Sequence, residues 1–242
     1  MIKTYLFSKD GVREDVSIDE HLSTPQEDCR LLWVDARQCS REDMEHLAQR
    51  FGLHSVAVEG TLDPYRRPHL YEFADHFYVN LTILGSTRSN SIRPAELHLF
   101  AGAGFVITAV RGKTSEATDR AIAYYSETPG ACSKGSMFAT YLLAEYLVES
   151  YVPTVERLDR EADKLEEAML ERPEKDAVRK LFALKSKVFE LRRLLGPQRD
   201  ILSELARRDF PFLEGESHVY YQDVYNRTIR VFDMLDNIRE IL

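Results

Sequence analysis

Residues 137–152 read MFATYLLAEYLVESYV, and this stretch marks the change from mixed strands and helices to helices alone. Its apolar residues fall on nearly every side of a helix, which predicts a helix buried in the protein. It opens a longer helical stretch, Ser136 to about Arg172, which Pro153 is expected to kink or divide. The chain is therefore expected to have two parts, residues 1–130 and residues 131–242.

The first part alternates between strand and helix patterns. Its segment His76–Leu84, HFYVNLTIL, is rich in aromatic and β-branched residues and predicts a strand. Residues 95–110 hold two apolar runs around AGAG, which predicts a hairpin. A helix is predicted over Ser40–Phe51, with Gly52 as its C-terminal cap. The remaining predicted strands are Ile2–Phe7, Arg30–Asp35, Leu70–Glu72, Glu96–Phe100 and Phe105–Val110.

The second part, preceded by a helix predicted over Thr114–Thr128, shows helical periodicity throughout. Two apolar stripes of three-to-four spacing flank the segment Glu171–Lys175, which predicts two long helices folded back as an antiparallel hairpin. The second of these helices is expected to end or bend at Gly196-Pro197 and to break at Asp209–Gly215.

A last helix begins near Val219 and keeps its apolar rhythm up to Leu242, without a glycine, proline or polar cluster to end it. A helix that lacks a stop signal is expected to continue. The sequence is therefore interpreted as one part of a longer protein.

Charge and composition exclude several classes of protein. The net charge is -8, and a protein that neutralises phosphates needs a basic surface, so nucleic acid is not an expected partner. No stretch approaches the roughly 18 apolar residues of a membrane span, and no signal-peptide core is present at the N-terminus. The three cysteines are widely spaced, form no CxxC pair and predict no disulfide framework. This use of cysteine favours a protein of the reducing cytoplasm.

The charges are unevenly distributed along the predicted hairpin. Residues 149–176 hold ten acids and five bases, whereas residues 179–209 hold nine bases and four acids. Opposite net charges favour pairing of the two helices within one chain or between chains. The alternative is that both faces are solvated, because exposed ion pairs contribute little each.

The sequence contains no pattern of an enzyme. It lacks GxGxxG, a P-loop, GxSxG and HExxH, and its seven histidines are scattered without a zinc spacing. No catalytic residue and no organic cofactor are therefore predicted. Acids on helix surfaces favour a hard cation, but composition singles out no ligand among them.

Several short strings, in this order and spacing, resemble the cytoplasmic domain of CorA-type magnesium transporters over essentially the whole chain. They are LWVD at 32–35, FGLH at 51–54, VE at 58–59, RPHL at 67–70, HFYVNLTI at 76–83, LERPEK at 170–175, LRR at 191–193, PQRD at 197–200 and YQDVYN at 221–226. The resemblance implies an N-terminal α/β/α sandwich with a central mixed sheet, followed by long antiparallel helices that form a funnel. It also implies that the last helix leads into the first membrane span.

The resemblance implies a regulatory cation site between neighbouring domains. Asp223 matches the acid of the final helix that serves this site, and Glu145 matches a second acid near it. The family's third contribution comes from acids in the loop after the long strand, but here residues 85–94 carry no acid, and Arg88 and Asn90 stand there. This departure weakens the site or shifts it to other ligands, such as Asn90 and water.

The resemblance further implies a homopentamer at the cytoplasmic face of the cell membrane, with Mg²⁺ as regulatory ion and Mg²⁺, Co²⁺ or Ni²⁺ as transported ion. This fragment itself is expected to be soluble and to reach the membrane through helices beyond it. Two alternatives stay open: the same architecture in a zinc transporter, or a soluble helical scaffold for protein partners.

Overall fold

The computed structural model describes residues 2–23, 30–63, 67–85, 92–111, 116–171, 176–208, 210 and 217–242. The strands within these ranges are β1 (Ile2–Ser8), β2 (Gly11–Glu14), β3 (Leu31–Arg37), β4 (His69–Glu72), β5 (His76–Leu84), β6 (Pro94–Gly102) and β7 (Phe105–Arg111). The α-helices are α1 (Ile18–Ser23), α2 (Arg41–Phe51), α3 (Ser55–Leu62), α4 (Glu116–Glu127), α5 (Gly135–Glu171), α6 (Ala177–Leu205) and α7 (Ser217–Ile241). A single turn of 3-10 helix, Ala131–Lys134, precedes α5.

The seven strands form one mixed sheet in the order β2-β1-β3-β7-β6-β5-β4. Strands β3 and β7 pair in parallel, with Leu32 opposite Phe105, and the other neighbours are antiparallel. The predicted hairpin is the β6–β7 pair, in which Gly102 lies opposite Phe105.

Alternating side chains of the central strands bury both faces of the sheet. In β3, Leu32 and Val34 contact the core beneath α2 and α3, whereas Leu31 and Trp33 contact the core that the sheet shares with α4, α5, α6 and α7. Both sets are fully buried. A strand covered on both faces needs apolar residues at every position, which explains the continuous apolar runs in the sequence.

The predicted helix caps are present in α2. Ser40 accepts a hydrogen bond from the backbone of Asp43, and Asp43 accepts one from the backbone of Ser40, which completes a capping box. Gly52 ends the helix in the left-handed conformation with φ 64°.

Neither proline divides its helix, contrary to one of the two outcomes expected for Pro153 and to the end considered at Gly196-Pro197. A kink at Pro153 and a bend at Gly196-Pro197 stay predictions. Helix α5 runs continuously past Pro153, and α6 runs continuously past Pro197. Pro153 lies on the exposed side of α5, where water can hydrate the carbonyl group that loses its intrahelical donor. Packing on both sides of each proline holds the helix together, and this packing is invisible in local sequence.

Helix α6 runs antiparallel to α5, and α7 runs parallel to α5. Between α5 and α6, Tyr151 contacts Gln198 and Glu161 contacts Lys187, so the residue numbers increase along one helix as they decrease along the other. Between α5 and α7, Met137 contacts Tyr221 and Glu145 contacts Arg227, so the residue numbers increase along both helices. The antiparallel hairpin is therefore confirmed, with a third helix packed along it.

The sequence-based fold class is confirmed: an α/β/α arrangement with a mixed sheet, followed by long helices. The short elements β2, α1 and α3 were not predicted. The break expected within Glu171–Lys175 and most of the one expected at Asp209–Gly215 lie outside the described residues, as does the start predicted at Thr114. The division at residue 130 stays a prediction.

The cysteines depart from expectation. Cys39 is a free thiol that is partly buried, and burial raises its pKa to about 11. Cys132 takes part in a disulfide, although the spacing of the cysteines predicted none. Its partner lies outside the described residues.

Candidate functional site: a carboxylate pair bridged by an arginine

Helix α7 presents one apolar stripe to the core and a polar edge beside it. The stripe consists of Tyr221, Val224, Thr228, Val231, Phe232, Leu235 and Ile238, all of them buried. Their spacing of about three to four residues keeps one face of the helix against α5 and α6. Asp223 and Arg227, one turn apart, lie on the edge of this stripe and therefore border α5.

Arg227 bridges the two acids that the resemblance selected. Its Nη1 lies 2.9 Å from Glu145 Oε1, and its Nε lies 2.9 Å from Asp223 Oδ2. The Glu145 side chain is 15% exposed, the Asp223 side chain 51% and the Arg227 side chain 39%. The tertiary structure thus brings Glu145 and Asp223 together, with a guanidinium group between them.

Glu149, one turn beyond Glu145 on α5, extends this group. Its Oε1 lies 3.9 Å from Arg227 Nη1, and its Oε2 lies 2.9 Å from Arg120 Nη1 on α4. Arg120 also lies over the ring of Tyr146, 3.9 Å from its centroid. Below, the name Arg227 cluster denotes Glu145, Glu149, Asp223 and Arg227.

Burial and neighbouring charges shift the pKa values of Arg227 and of the adjacent Tyr141. Partial burial opposes the charge on Arg227, but the neighbouring carboxylates of Asp223 and Glu145 outweigh it and raise the pKa of Arg227. Burial raises the pKa of Tyr141, and the hydrogen bond between Tyr141 and Glu145 raises it further. Arg227 is therefore a permanent cation within the cluster.

The geometry does not suit a divalent cation while Arg227 stays in place. Mg²⁺ requires near-octahedral oxygen ligands at roughly 2.0–2.1 Å and usually keeps several waters. Here the guanidinium lies within hydrogen-bonding distance of Glu145 and Asp223 and fills the position between them. Within the ranges that the structure describes, no group of three histidine, cysteine, aspartate or glutamate side chains is arranged to hold a metal ion.

Sequence reasoning identified Glu145 and Asp223 but missed Arg227, Glu149 and Arg120. A signal was present, because Asp223 and Arg227 stand at i and i+4 with the acid nearer the N-terminus, the favourable order for a helical ion pair. The contact with α5 had no such signal. Of the acid-free loop, residues 86–91 lie outside the described residues, so the roles considered for Arg88 and Asn90 stay predictions.

Within the described part of the chain, charged residues of the two blocks of the helical hairpin pair both with each other and with other elements. Between the described parts of α5 and α6, Glu161 Oε2 and Lys187 Nζ form an ion pair at 3.3 Å. Other charged residues of the two blocks bind α4, α7 or the sheet, through the pairs Glu149–Arg120, Arg192–Asp236 and Arg208–Glu72. The pairing of the two blocks within one chain is thus present at Glu161 and Lys187, and its weight stays a prediction.

None of the helices in the described ranges combines the length and the apolar character needed to cross a bilayer.

Comparisons with known proteins agree on one family. The family model described as "CorA-like Mg2+ transporter protein" matches residues 28–242. The cobalt/magnesium transport protein CorA of Thermotoga maritima is 28% identical over 213 residues, which cover 87% of this chain and 60% of that protein. This chain therefore spans less than two thirds of the length of that relative.

Two solved structures share the fold. The structure of the full-length CmaX protein matches with a TM-score of 0.80 at 24% identity, covering 98% of this chain and 73% of that chain. The soluble domain of CorA from Methanocaldococcus jannaschii matches with a TM-score of 0.78 at 19% identity, covering 100% of this chain and 93% of that one. These likenesses establish the fold, and the family match over most of the chain establishes the membership: the chain belongs to the CorA-like Mg²⁺ transporter family.

Proposed function

We propose that this chain is the cytoplasmic regulatory domain of a CorA-type divalent cation transporter and has no enzymatic activity. The observation that carries the proposal is the family match over residues 28–242. The fold likeness to a soluble CorA domain along the entire chain supports it. The membrane-spanning part is proposed to lie in further sequence of the protein, and the domain is proposed to assemble with copies of itself as a homopentamer.

The proposed regulatory ion is Mg²⁺, and its proposed ligands are Asp223 and Glu145. A cation bound between neighbouring copies of the domain would offset the repulsion between carboxylates that face each other there and favour the assembled state, which is a population shift driven by a ligand. The position of both acids on neighbouring helices, one half-exposed, supports this role. Arg227 must move away from them before such an ion can bind.

Ion flux tests the proposed transport function. The full-length protein, reconstituted into liposomes that hold an ion-sensitive dye, is expected to admit Mg²⁺, and Co²⁺ or Ni²⁺ as further substrates. Liposomes without protein are the control. Influx of Zn²⁺ without Mg²⁺ would support the zinc-transporter alternative, and absence of flux for every divalent cation would contradict the proposal and favour the scaffold.

Sedimentation of the domain tests the proposed self-association. Millimolar Mg²⁺ is expected to shift the protein toward a larger assembly, and Asp223→Ala is expected to remove this shift. A species that is insensitive to Mg²⁺ would contradict the role of Asp223 in assembly, while leaving the flux experiment unaffected.

A further inference from the structure

We propose that Arg227 is an internal cation that competes with divalent ions for Glu145 and Asp223, so that its displacement sets the Mg²⁺ concentration to which this domain responds. The inference rests on the proposed function only in taking Mg²⁺ as the relevant ion. Its physical content is a competition between a tethered guanidinium and a free ion for the same oxygens.

The contacts of Arg227 are those of a bridging counter-ion. Its Nε and its Nη1 bind carboxylates from two different helices, each at 2.9 Å. Arginine suits this role because its guanidinium carries several donors in one rigid plane, whereas the compact lysine ammonium lacks this fork. The bridge therefore joins α5 to α7 without any bound ion.

The carboxylates would repel one another without Arg227. Glu145 and Glu149 stand at i and i+4 on α5, a spacing at which like charges destabilise a helix. Asp223 adds a third negative charge from α7. Arg227 lies within 4 Å of all three carboxylates and offsets their mutual repulsion within one chain, as a bound cation would.

Competition follows from the position of the guanidinium. A divalent ion that binds Glu145 and Asp223 must first break both contacts of Arg227, and a nearby positive charge then continues to oppose it. Arg227 stays attached to the chain, so its local concentration near the carboxylates is high. The wild-type domain is therefore expected to bind Mg²⁺ weakly at these acids.

The test measures Mg²⁺ binding by titration calorimetry and by the Mg²⁺-dependent rise in melting temperature. Arg227→Gln is expected to bind Mg²⁺ about tenfold more tightly than the wild type, equal to about 1.4 kcal/mol. Arg230→Gln removes the same charge from an exposed position on the same helix and is the matched control. It is expected to change the affinity much less than Arg227→Gln does.

A second pair of variants assigns the gain to the intended acids and guards against unfolding. Arg227→Lys keeps the charge and the fold but loses the planar fork, and is expected to bind Mg²⁺ with an affinity between those of the wild type and Arg227→Gln. Adding Asp223→Asn to Arg227→Gln is expected to remove the gain. Circular dichroism in the absence of Mg²⁺ verifies that every variant is folded.

Two results would overturn the inference: equal Mg²⁺ affinity of the wild type, Arg227→Lys and Arg227→Gln, or an equal gain in Arg230→Gln. Either could occur while the full-length protein transports ions, so the failure of this inference is distinguishable from failure of the proposed function. Conversely, a gain in Mg²⁺ affinity that is specific to Arg227→Gln would support the inference even if the full-length protein transported no Mg²⁺.

Discussion

Gln198 of α6 and Tyr151 of α5 are joined by a hydrogen bond of 2.6 Å, donated by Gln198 Nε2 to the Tyr151 hydroxyl, and both side chains are fully buried. The same two groups serve the backbone of Thr82 in β5. Gln198 Oε1 accepts from the Thr82 N–H at 2.9 Å, and the Tyr151 hydroxyl donates to the Thr82 carbonyl at 3.0 Å. Strand β4 pairs with β5 only as far as Asn80, so it does not reach Thr82. The side chains of Gln198 and Tyr151 supply the hydrogen-bond partners that the backbone of Thr82 would otherwise lack.

Gln198→Leu is expected to destabilise the protein by about 1–3 kcal/mol, because it leaves the buried N–H of Thr82 without its acceptor and removes the donor to the Tyr151 hydroxyl. Urea unfolding measures the effect. Gln222→Leu, the same substitution at an exposed position of α7, is the control and is expected to cost less than about 0.5 kcal/mol. Equal effects of the two variants would mean that the buried bridge contributes no stability.

The two acids of the Arg227 cluster are expected to differ in their contribution to stability. Glu145→Gln breaks an ion pair on a largely buried side chain and is expected to cost about 1–3 kcal/mol. Asp223→Asn acts on a half-exposed side chain screened by solvent and is expected to cost less than about 1 kcal/mol. Thermal unfolding at low salt checks both values, and the reverse order would contradict the burial of Glu145.

Buried His98 is expected to make stability depend on pH. Burial lowers the pKa of His98 below 6.5, although the nearby carboxylate of Glu96 opposes this effect. Below pH 6.5 the unfolded chain therefore binds a proton that the folded chain does not, and stability falls as the pH decreases toward the folded-state pKa. Above the unfolded-state pKa this contribution to the pH dependence vanishes.

Denaturation at several pH values between about 5.5 and 7.5 measures the slope, which reports the difference in bound protons. His98→Gln is expected to reduce the loss of stability at the acidic end, whereas His46→Gln at an exposed position is expected to leave it unchanged. Residual slope is expected from His21, whose pKa burial also lowers. An unaltered slope in His98→Gln would show that His98 is protonated equally in both states.

Two glycines are expected to respond to alanine to very different extents. At Gly102, an added Cβ would collide with the ring of Phe105 and lie 2.8 Å from the carbonyl oxygen of Asp75, so Gly102→Ala is expected to cost about 2 kcal/mol or more. At Gly196, inside α6, the nearest atom beyond the adjoining residues and the local helix backbone is Phe232 Cζ, 3.8 Å from the added Cβ. Pro197 follows, however, and its Cδ crowds a Cβ on the preceding helical residue, which offsets the gain from a less flexible unfolded chain. Gly196→Ala is therefore expected to change the stability by less than about 1 kcal/mol.

Melting temperatures of the two variants check this contrast. A stabilised Gly102→Ala would mean that the turn between β6 and β7 can open enough to accept a side chain. A loss in Gly196→Ala as large as that in Gly102→Ala would show that crowding against Pro197 dominates.

Local pattern predicted the elements that carry strong local signals. The strand His76–Leu84 has the same bounds in the structure as in the prediction, because its aromatic and β-branched run ends at clear boundaries. The same holds for the cap residues Ser40 and Gly52 of α2. The short β2 and α3 were missed, since four to eight residues carry too little periodicity to stand out.

The sequence by itself determined the class of fold, the antiparallel hairpin of α5 and α6 and, through its short strings, the family. Through the resemblance, it also singled out Glu145 and Asp223 as candidate ligands of a regulatory cation. Only the tertiary structure decided that α7 runs parallel to α5, that α5 and α6 continue through their prolines, and that Arg227 lies between the two acids. The physical reason is that capping and periodicity act within a few residues, whereas the ion pair between Glu145 and Arg227 spans 82 positions and forms only once the helices have packed.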